Sequence, residues 1–207
     1  MAVNEKRYEQ AKEPIVICIC GMAGSGKSTL ARKLAEKYGF KYYSGGDALK
    51  ALALERGYKP LEKGWWESRE GLTFLENREK NTEFDEAVDQ KLLEMAEKGN
   101  VVLDSWTMPW LLKRGFKIWL EASPRKRAER VARRDGISVQ KALKILKIKE
   151  EKTKAIYKKL YGFSLGEDLS PFHLILDTDN LTAEEVFQVL SMVLDKLVLK
   201  GCAPSNF

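Results

Sequence analysis

Apolar and polar positions along the chain switch repeatedly between a two-residue and a 3.6-residue period. Ile15 to Cys20 is an unbroken apolar run ending at a glycine, the pattern of a buried parallel strand. Directly after it, Lys27 to Tyr38 sets Leu30, Ala31, Leu34 and Ala35 on one helical face before Gly39. A short strand over Lys41 to Tyr43 leads through Ser44, Gly45 and Gly46 to Asp47, from which a helix runs toward Arg56. Gly57 to Asn81 reads as irregular. Thr82-Glu83-Phe84-Asp85 caps a helix carrying Phe84, Val88, Leu92 and Met95 at helical spacing, and Gly99-Asn100 turns it into the strand Val101 to Asp104. Phe116 to Leu120 reads as a strand, Ser123-Pro124 opens a helix through Arg134, and Ser138 opens a long basic helix to Tyr161. His173 to Leu176 is the last strand, and Thr182-Ala183-Glu184-Glu185 is a capping box before Val186, Phe187, Leu190, Val193, Leu194 and Leu197.

Strand and helix alternate throughout, which predicts an α/β fold: a roughly five-stranded parallel sheet flanked by helices. We divide the chain into a loose lead-in over 1–14, one domain over 15–199 and a tail over 200–207. A chain of 207 residues with 44% hydrophobic content can bury one sizeable core. No apolar run reaches the roughly 20 residues that cross a bilayer, and Glu5, Lys6 and Arg7 stand where a secretory signal needs apolar residues, so a soluble, cytoplasmic protein is expected. Cys18, Cys20 and Cys202 lack zinc-like spacing, and the first two read as small buried hydrophobes.

Charge changes the picture more than composition does. The net charge is +6, yet Lys113 to Lys159 holds 17 Lys or Arg against 5 Asp or Glu, a local excess of +12. That region is built to meet anions. The anion is suggested by Gly21-Met22-Ala23-Gly24-Ser25-Gly26-Lys27-Ser28, followed by Thr29. In this P-loop spacing the glycines let successive N–H groups face an anion, and the next helix adds its positive N-terminal end. Lys27 is expected to reach the β and γ phosphates of a nucleoside triphosphate and the Ser28 hydroxyl to ligate Mg²⁺. Asp104, closing a strand, is the second metal-side candidate. No Asn-Lys-x-Asp guanine signature is present, which disfavours a GTPase switch.

These residues resemble the nucleoside monophosphate kinases, most nearly the archaeal-type cytidylate kinases. Beside the P-loop, the resemblance is carried by Tyr43-Ser44-Gly45-Gly46-Asp47, Phe84-Asp85-Glu86-Ala87-Val88-Asp89, Gly99-Asn100-Val101-Val102, Arg127-Ala128-Glu129-Arg130 with Arg133-Arg134-Asp135-Gly136-Ile137-Ser138, Tyr157 with Tyr161-Gly162, and Asp177-Thr178. It implies the P-loop NTPase fold, ATP with Mg²⁺ as donor, and transfer of the γ-phosphoryl group to a small-molecule phosphate acceptor. It further implies an acceptor region over about 44–98 and a lid over about 124–162. Lid candidates are Arg127, Arg130 and Arg134, and Asp177 and Thr178 join the ATP site. Acceptor-side candidates are Ser44, Asp47, Lys50, Trp65, Trp66, Asp85, Asp89 and Trp106. The chain departs from the family where Lys50, Ser105 or Trp106, Lys149 and Ile156 replace arginines, and lysine lacks the guanidinium fork.

Trp65, Trp66, Trp106 and Trp110 fall in segments expected around the acceptor, where they either stack on it or pack the lid. Asp85 and Asp89 lie one helical turn apart, reading equally as acceptor contacts or as a solvated face. His173 is given no role. Three readings follow: a kinase of CMP, dCMP or a related monophosphate; a kinase of a non-nucleotide metabolite; and a nucleotide-binding protein whose basic segment contacts RNA. The lack of an aromatic-studded RNA-binding motif lowers the last.

Overall fold

The computed structural model describes residues 14–59 and 64–198. The lead-in over 1–13, the tail over 200–207 and Cys202 lie outside the described residues. Five strands, β1 (Val16–Cys20), β2 (Lys41–Ser44), β3 (Val101–Asp104), β4 (Phe116–Glu121) and β5 (Leu174–Asp177), form one sheet in the order β2-β3-β1-β4-β5. All four pairings are parallel. The register sets Asp104 beside Ile19 of β1 and Ser44 of β2, so the three strands end together at the carboxyl edge. In open parallel sheets this is where ligands bind.

Helices cover both faces because β1 is apolar on both. On one face α1 (Lys27–Tyr38) and α8 (Ala183–Leu197) bury Leu30, Leu34, Val186, Leu190 and Leu194 against Ile17, Ile19 and Ile118. On the other, α2 (Gly45–Glu55) and α4 (Glu83–Lys98) bury Leu49, Ala53, Val88 and Leu92 against Cys18 and Leu103. Cys18 and Cys20 are buried free thiols, as expected of core residues, and burial pushes both well up. The helix α6 (Pro124–Asp135) is capped by Ser123 and α7 (Val139–Tyr161) by Ser138. Thr182 and Glu185 form the reciprocal capping box of α8. Among the described residues, no helix is long and apolar enough to cross a membrane.

The structure corrects four local expectations. The stretch read as irregular contains a 3₁₀ turn, Trp65–Glu67, and α3 (Arg69–Lys80), whose cap is Ser68 accepting from Gly71 N. Its inward face is Phe74, Leu75 and the cation Arg78, so a charge occupies a core position and blurs the period. The helix expected from Asp47 starts two residues earlier, because Ser44 is its cap and accepts from Asp47 N at 3.1 Å. Before α4 the cap position is Thr82, as expected, but its hydroxyl donates to Glu86 instead of accepting from the helix, and Asn81 accepts from Glu83 N. A short helix, α5 (Met108–Leu111), follows β3 unannounced.

Gly71 fixes the joint between the 3₁₀ turn and α3: a Cβ there would stand 2.2 Å from Trp65 O and 2.9 Å from Trp66 Cα, both backbone atoms. Gly71→Ala is therefore expected to destabilise the protein by about 2–3 kcal/mol in urea unfolding. A change within about 0.5 kcal/mol contradicts the tight joint.

Candidate active site

A cavity of about 810 Å³ opens at the carboxyl edge of the sheet. Ala23 to Thr29 line it, as do Arg78, Asp85 and Asp89. The P-loop is a turn closed by Ser25 N donating to Met22 O at 3.1 Å. Gly21 (φ 148°) and Gly24 (φ 84°) tolerate no side chain: a Cβ would stand 2.5 Å from Leu120 O at the first and 2.7 Å from Arg127 O at the second. Gly21 and Met22 support the loop without lining the cavity.

A loop that turns its N–H groups inward leaves carbonyls to be satisfied outside. Three alternate ones each have a side-chain donor. Trp106 Nε1 donates to Gly21 O at 2.6 Å, Arg127 Nη1 to Ala23 O at 3.1 Å and Arg130 Nη1 to Ser25 O at 3.1 Å. Arg127 is buried, donates also to Ala122 O, and pairs with Glu150 of α7. It braces the loop from behind and does not line the cavity. Arg130 does line it, and donates in addition to Thr178 Oγ1 and to Thr178 O. Thr178 is buried against the site, whereas Asp177 caps the turn after β5 by accepting from Asp179 N and stands away from it.

On the metal side, Ser28 and Asp104 both line the cavity. Asp104 is buried and accepts from the Tyr42 hydroxyl at 3.3 Å. Burial, with Asp104 next in effect, raises Tyr42 to about 12 and keeps it a donor at neutral pH. The Ser25 hydroxyl is buried without a hydrogen-bond partner.

The acceptor-side candidates separate. Ser44, Asp47, Trp66, Asp85, Asp89 and Trp106 line the cavity, and Trp65 and Lys50 do not. Trp65 is buried in the core and donates to Lys59 O, and Trp110 stacks on Phe163 and donates to Asp168. Asp47 reaches outward to Arg32. The solvated reading of Asp85 and Asp89 does not hold, because both are buried. Arg78 grips Asp85 with two hydrogen bonds, Nε to Oδ2 at 3.0 Å being one. Asp89 accepts from Thr107 Oγ1 at 2.5 Å and Tyr161 Oη at 2.8 Å, yet burial outweighs these bonds and lifts its carboxyl to about 6.

Arg78, Glu67, Arg133 and Thr107 also line the cavity and were missed as site residues. Arg78 and Glu67 fell in the segment read as irregular. Ser68 three residues before Gly71, with Phe74, Leu75 and Arg78 at helical spacing, was the signal available. Of the positions expected to carry arginine from the resemblance, Ile156 is core, Ser105, Trp106 and Lys149 line the cavity, and Lys50 does not. Lys149 Nζ lies 3.6 Å from Glu67 and 5.0 Å from the Trp66 ring centroid, with its side chain only 12% exposed. Arg134 approaches the same Glu67 carboxylate at 3.0 Å.

This sheet order, loop and cavity define a P-loop kinase. The sequence profile of the cytidylate kinase-like family matches residues 16–180. The chain is 37% identical to the cytidylate kinase of Pyrococcus horikoshii over 94% of its length and 96% of that protein, and 39% identical to that of Pyrococcus furiosus over 93% and 94%. It is 35% identical to the Methanocaldococcus jannaschii cytidylate kinase over 88% and 99%. The chain belongs to the cytidylate kinase-like family. Among solved structures, shikimate kinase from Bacteroides thetaiotaomicron superposes with a TM-score of 0.54 at 19% identity, covering 88% of this chain and 99% of that one, a likeness of fold alone.

Two outcomes follow from the buried charges. Asp85→Ala leaves Arg78 uncompensated and is expected to cost about 3–5 kcal/mol in urea unfolding, most of it recovered when Arg78→Met is added. Equal loss in the single and double variants contradicts the pairing.

Lys149 is lowered to about 8, first by burial and then by the cations Lys27, Arg134 and Arg78, with Glu67 opposing. Since the ammonium is the form that holds an anion, phosphate-ligand affinity should fall as pH rises through about 8. Lys149→Arg should flatten that fall, and a wild-type binding profile level from pH 7 to 9 contradicts the assignment.

Proposed function

We propose that the chain transfers the γ-phosphoryl group of ATP, bound with Mg²⁺, to the phosphate of cytidylate or deoxycytidylate. The observation that carries this is one cavity lined both by a P-loop and by the buried charges Arg78, Asp85 and Asp89. Phosphoryl transfer requires in-line positioning and charge neutralisation more than covalent chemistry. The loop N–H groups and Lys27 would hold the donor phosphates; Arg130, Arg133, Arg134 and Lys149 line the same cavity and would neutralise the transferred group.

Ser28 and Asp104 would hold Mg²⁺. One hydroxyl and one carboxylate beside a phosphate site suit a cation that keeps several waters. When bound, Mg²⁺ would offset the negative charge of the donor phosphates. Tyr42, by donating to Asp104, orients that carboxylate.

On the acceptor side the buried groups read an edge bearing both a donor and acceptors. Cytosine presents an amine that a carboxylate of Asp85 or Asp89 accepts, and ring acceptors toward Arg78. Uracil sets an oxygen where cytosine has the amine, against a carboxylate. A site built on buried hydrogen-bonding groups discriminates strongly because the wrong ligand leaves them unpaired.

The test is ADP formation from Mg·ATP with CMP, dCMP, UMP, AMP, GMP and dTMP, beside Lys27→Ala. Turnover is expected with CMP or dCMP in preference to the rest, and a loss of about 10³-fold in the variant. Silence with every nucleotide overturns the acceptor assignment in favour of a non-nucleotide metabolite. Undiminished turnover by Lys27→Ala overturns the P-loop mechanism.

A further inference from the structure

Of the three side chains that satisfy the P-loop carbonyls, two are arginines with several donors, and the third is a tryptophan with one. Trp106 follows β3 and spends its single N–H on Gly21 O at 2.6 Å. It packs against two apolar clusters, one containing Met22 and Trp119 and the other Ala128 and Leu146, and still lines the cavity. Lys27 Nζ lies 5.3 Å from the ring centroid. Among the described residues, this ring is the partner the structure gives the Lys27 ammonium. A cation within about 6 Å of an indole face is held by the ring quadrupole, more firmly where water is excluded.

We propose that Trp106 is a positioning residue of the phosphate site: one side chain fixes the first loop carbonyl and holds the Lys27 ammonium over the cavity until nucleotide phosphates take it. The ring and the phosphates compete for one ammonium. An ammonium on a flexible four-carbon stem has many rotamers, and ordering it costs side-chain entropy. A ring face orders it without the strong grip of a carboxylate, so arriving phosphate oxygens displace the ring readily. Because the same indole is anchored to Gly21 O, the ring and the loop keep their spacing. The inference rests on the phosphate-binding reading of the P-loop and assigns no contact to the acceptor.

Its first test contains no ligand. Tryptophan emission is compared for the wild type, Lys27→Met, Trp106→Phe and the double variant. Removing the ammonium should change the emission of the wild type and leave that of the Trp106→Phe background unchanged. An equal change in both backgrounds, or none in the wild type, overturns the proposal. Mg·ADP should next change wild-type emission through the same tryptophan; failure of Mg·ADP to bind the wild type counts against the nucleotide reading alone.

Kinetics separate positioning from packing. Trp106→Leu should lower kcat by about tenfold, with acceptor KM within about twofold, at a temperature where circular dichroism shows the variant folded. Trp106→Phe, which keeps a ring face and loses the N–H, should fall between. Wild-type kcat in folded Trp106→Leu overturns the assignment.

Discussion

The site depends on one backbone constraint: a loop whose N–H groups converge on an anion has carbonyls that converge on nothing. Each unpaired carbonyl in a buried position costs free energy comparable to a lost hydrogen bond. Here the carbonyls of Gly21, Ala23 and Ser25 are taken by Trp106, Arg127 and Arg130, which come from the end of β3 and from α6. The phosphate cradle is thus held from outside by elements more than eighty residues away in sequence. Arg127 carries this furthest, since its pairing with Glu150 ties α7 to the same bracket and gives a buried guanidinium its counter-charge. Buried charge without such a partner is expensive, which explains why Arg127 and Glu150 meet under the loop.

The far wall follows the same logic with a different purpose. Arg78 and Asp85 are almost fully enclosed, and Asp89 is held by two hydroxyl donors. Apolar residues of equal volume pack there at no desolvation cost, so retaining ions where the wall faces a cavity points to recognition more than to stability. The raised Asp89 carboxyl shows the same tension: enclosure disfavours its charge, and Thr107 and Tyr161 restore part of it.

The fold was legible because its signals are local. Ser123, Ser138 and Thr182 are helix caps in sequence and in space, and unbroken apolar runs became central strands. The P-loop was legible for the same reason, being one contiguous stretch. What resisted reading was anything set by a partner distant in sequence. Arg78 in α3 looks like any charge on a surface helix until Asp85 and the cavity are opposite it. The arginines of α6 share one basic pattern, but the phase set by Ser123 turns Arg127 beneath the loop, Arg130 against Thr178 and Arg134 toward Glu67. The tryptophans divide likewise: Trp65 and Trp110 pack, and Trp66 and Trp106 face cations.

The basic segment shows how far charge counting reaches. Its excess is met in part by acids of α3 and the 3₁₀ turn: Lys152 approaches Glu79 and Glu76, while Lys149 and Arg134 share Glu67. The exposed pairs contribute little stability each. Their arrangement matters more, because α7 is matched to α3 and to the 3₁₀ turn along one seam, and Lys149 and Glu67 of that seam line the cavity. Glu67, with its side chain only 5% exposed, satisfies two cations that otherwise face one another. The carboxylates of α3 and the 3₁₀ turn thus give the cations of α6 and α7 internal partners. The charge segregation along the sequence is balanced across the seam between these elements.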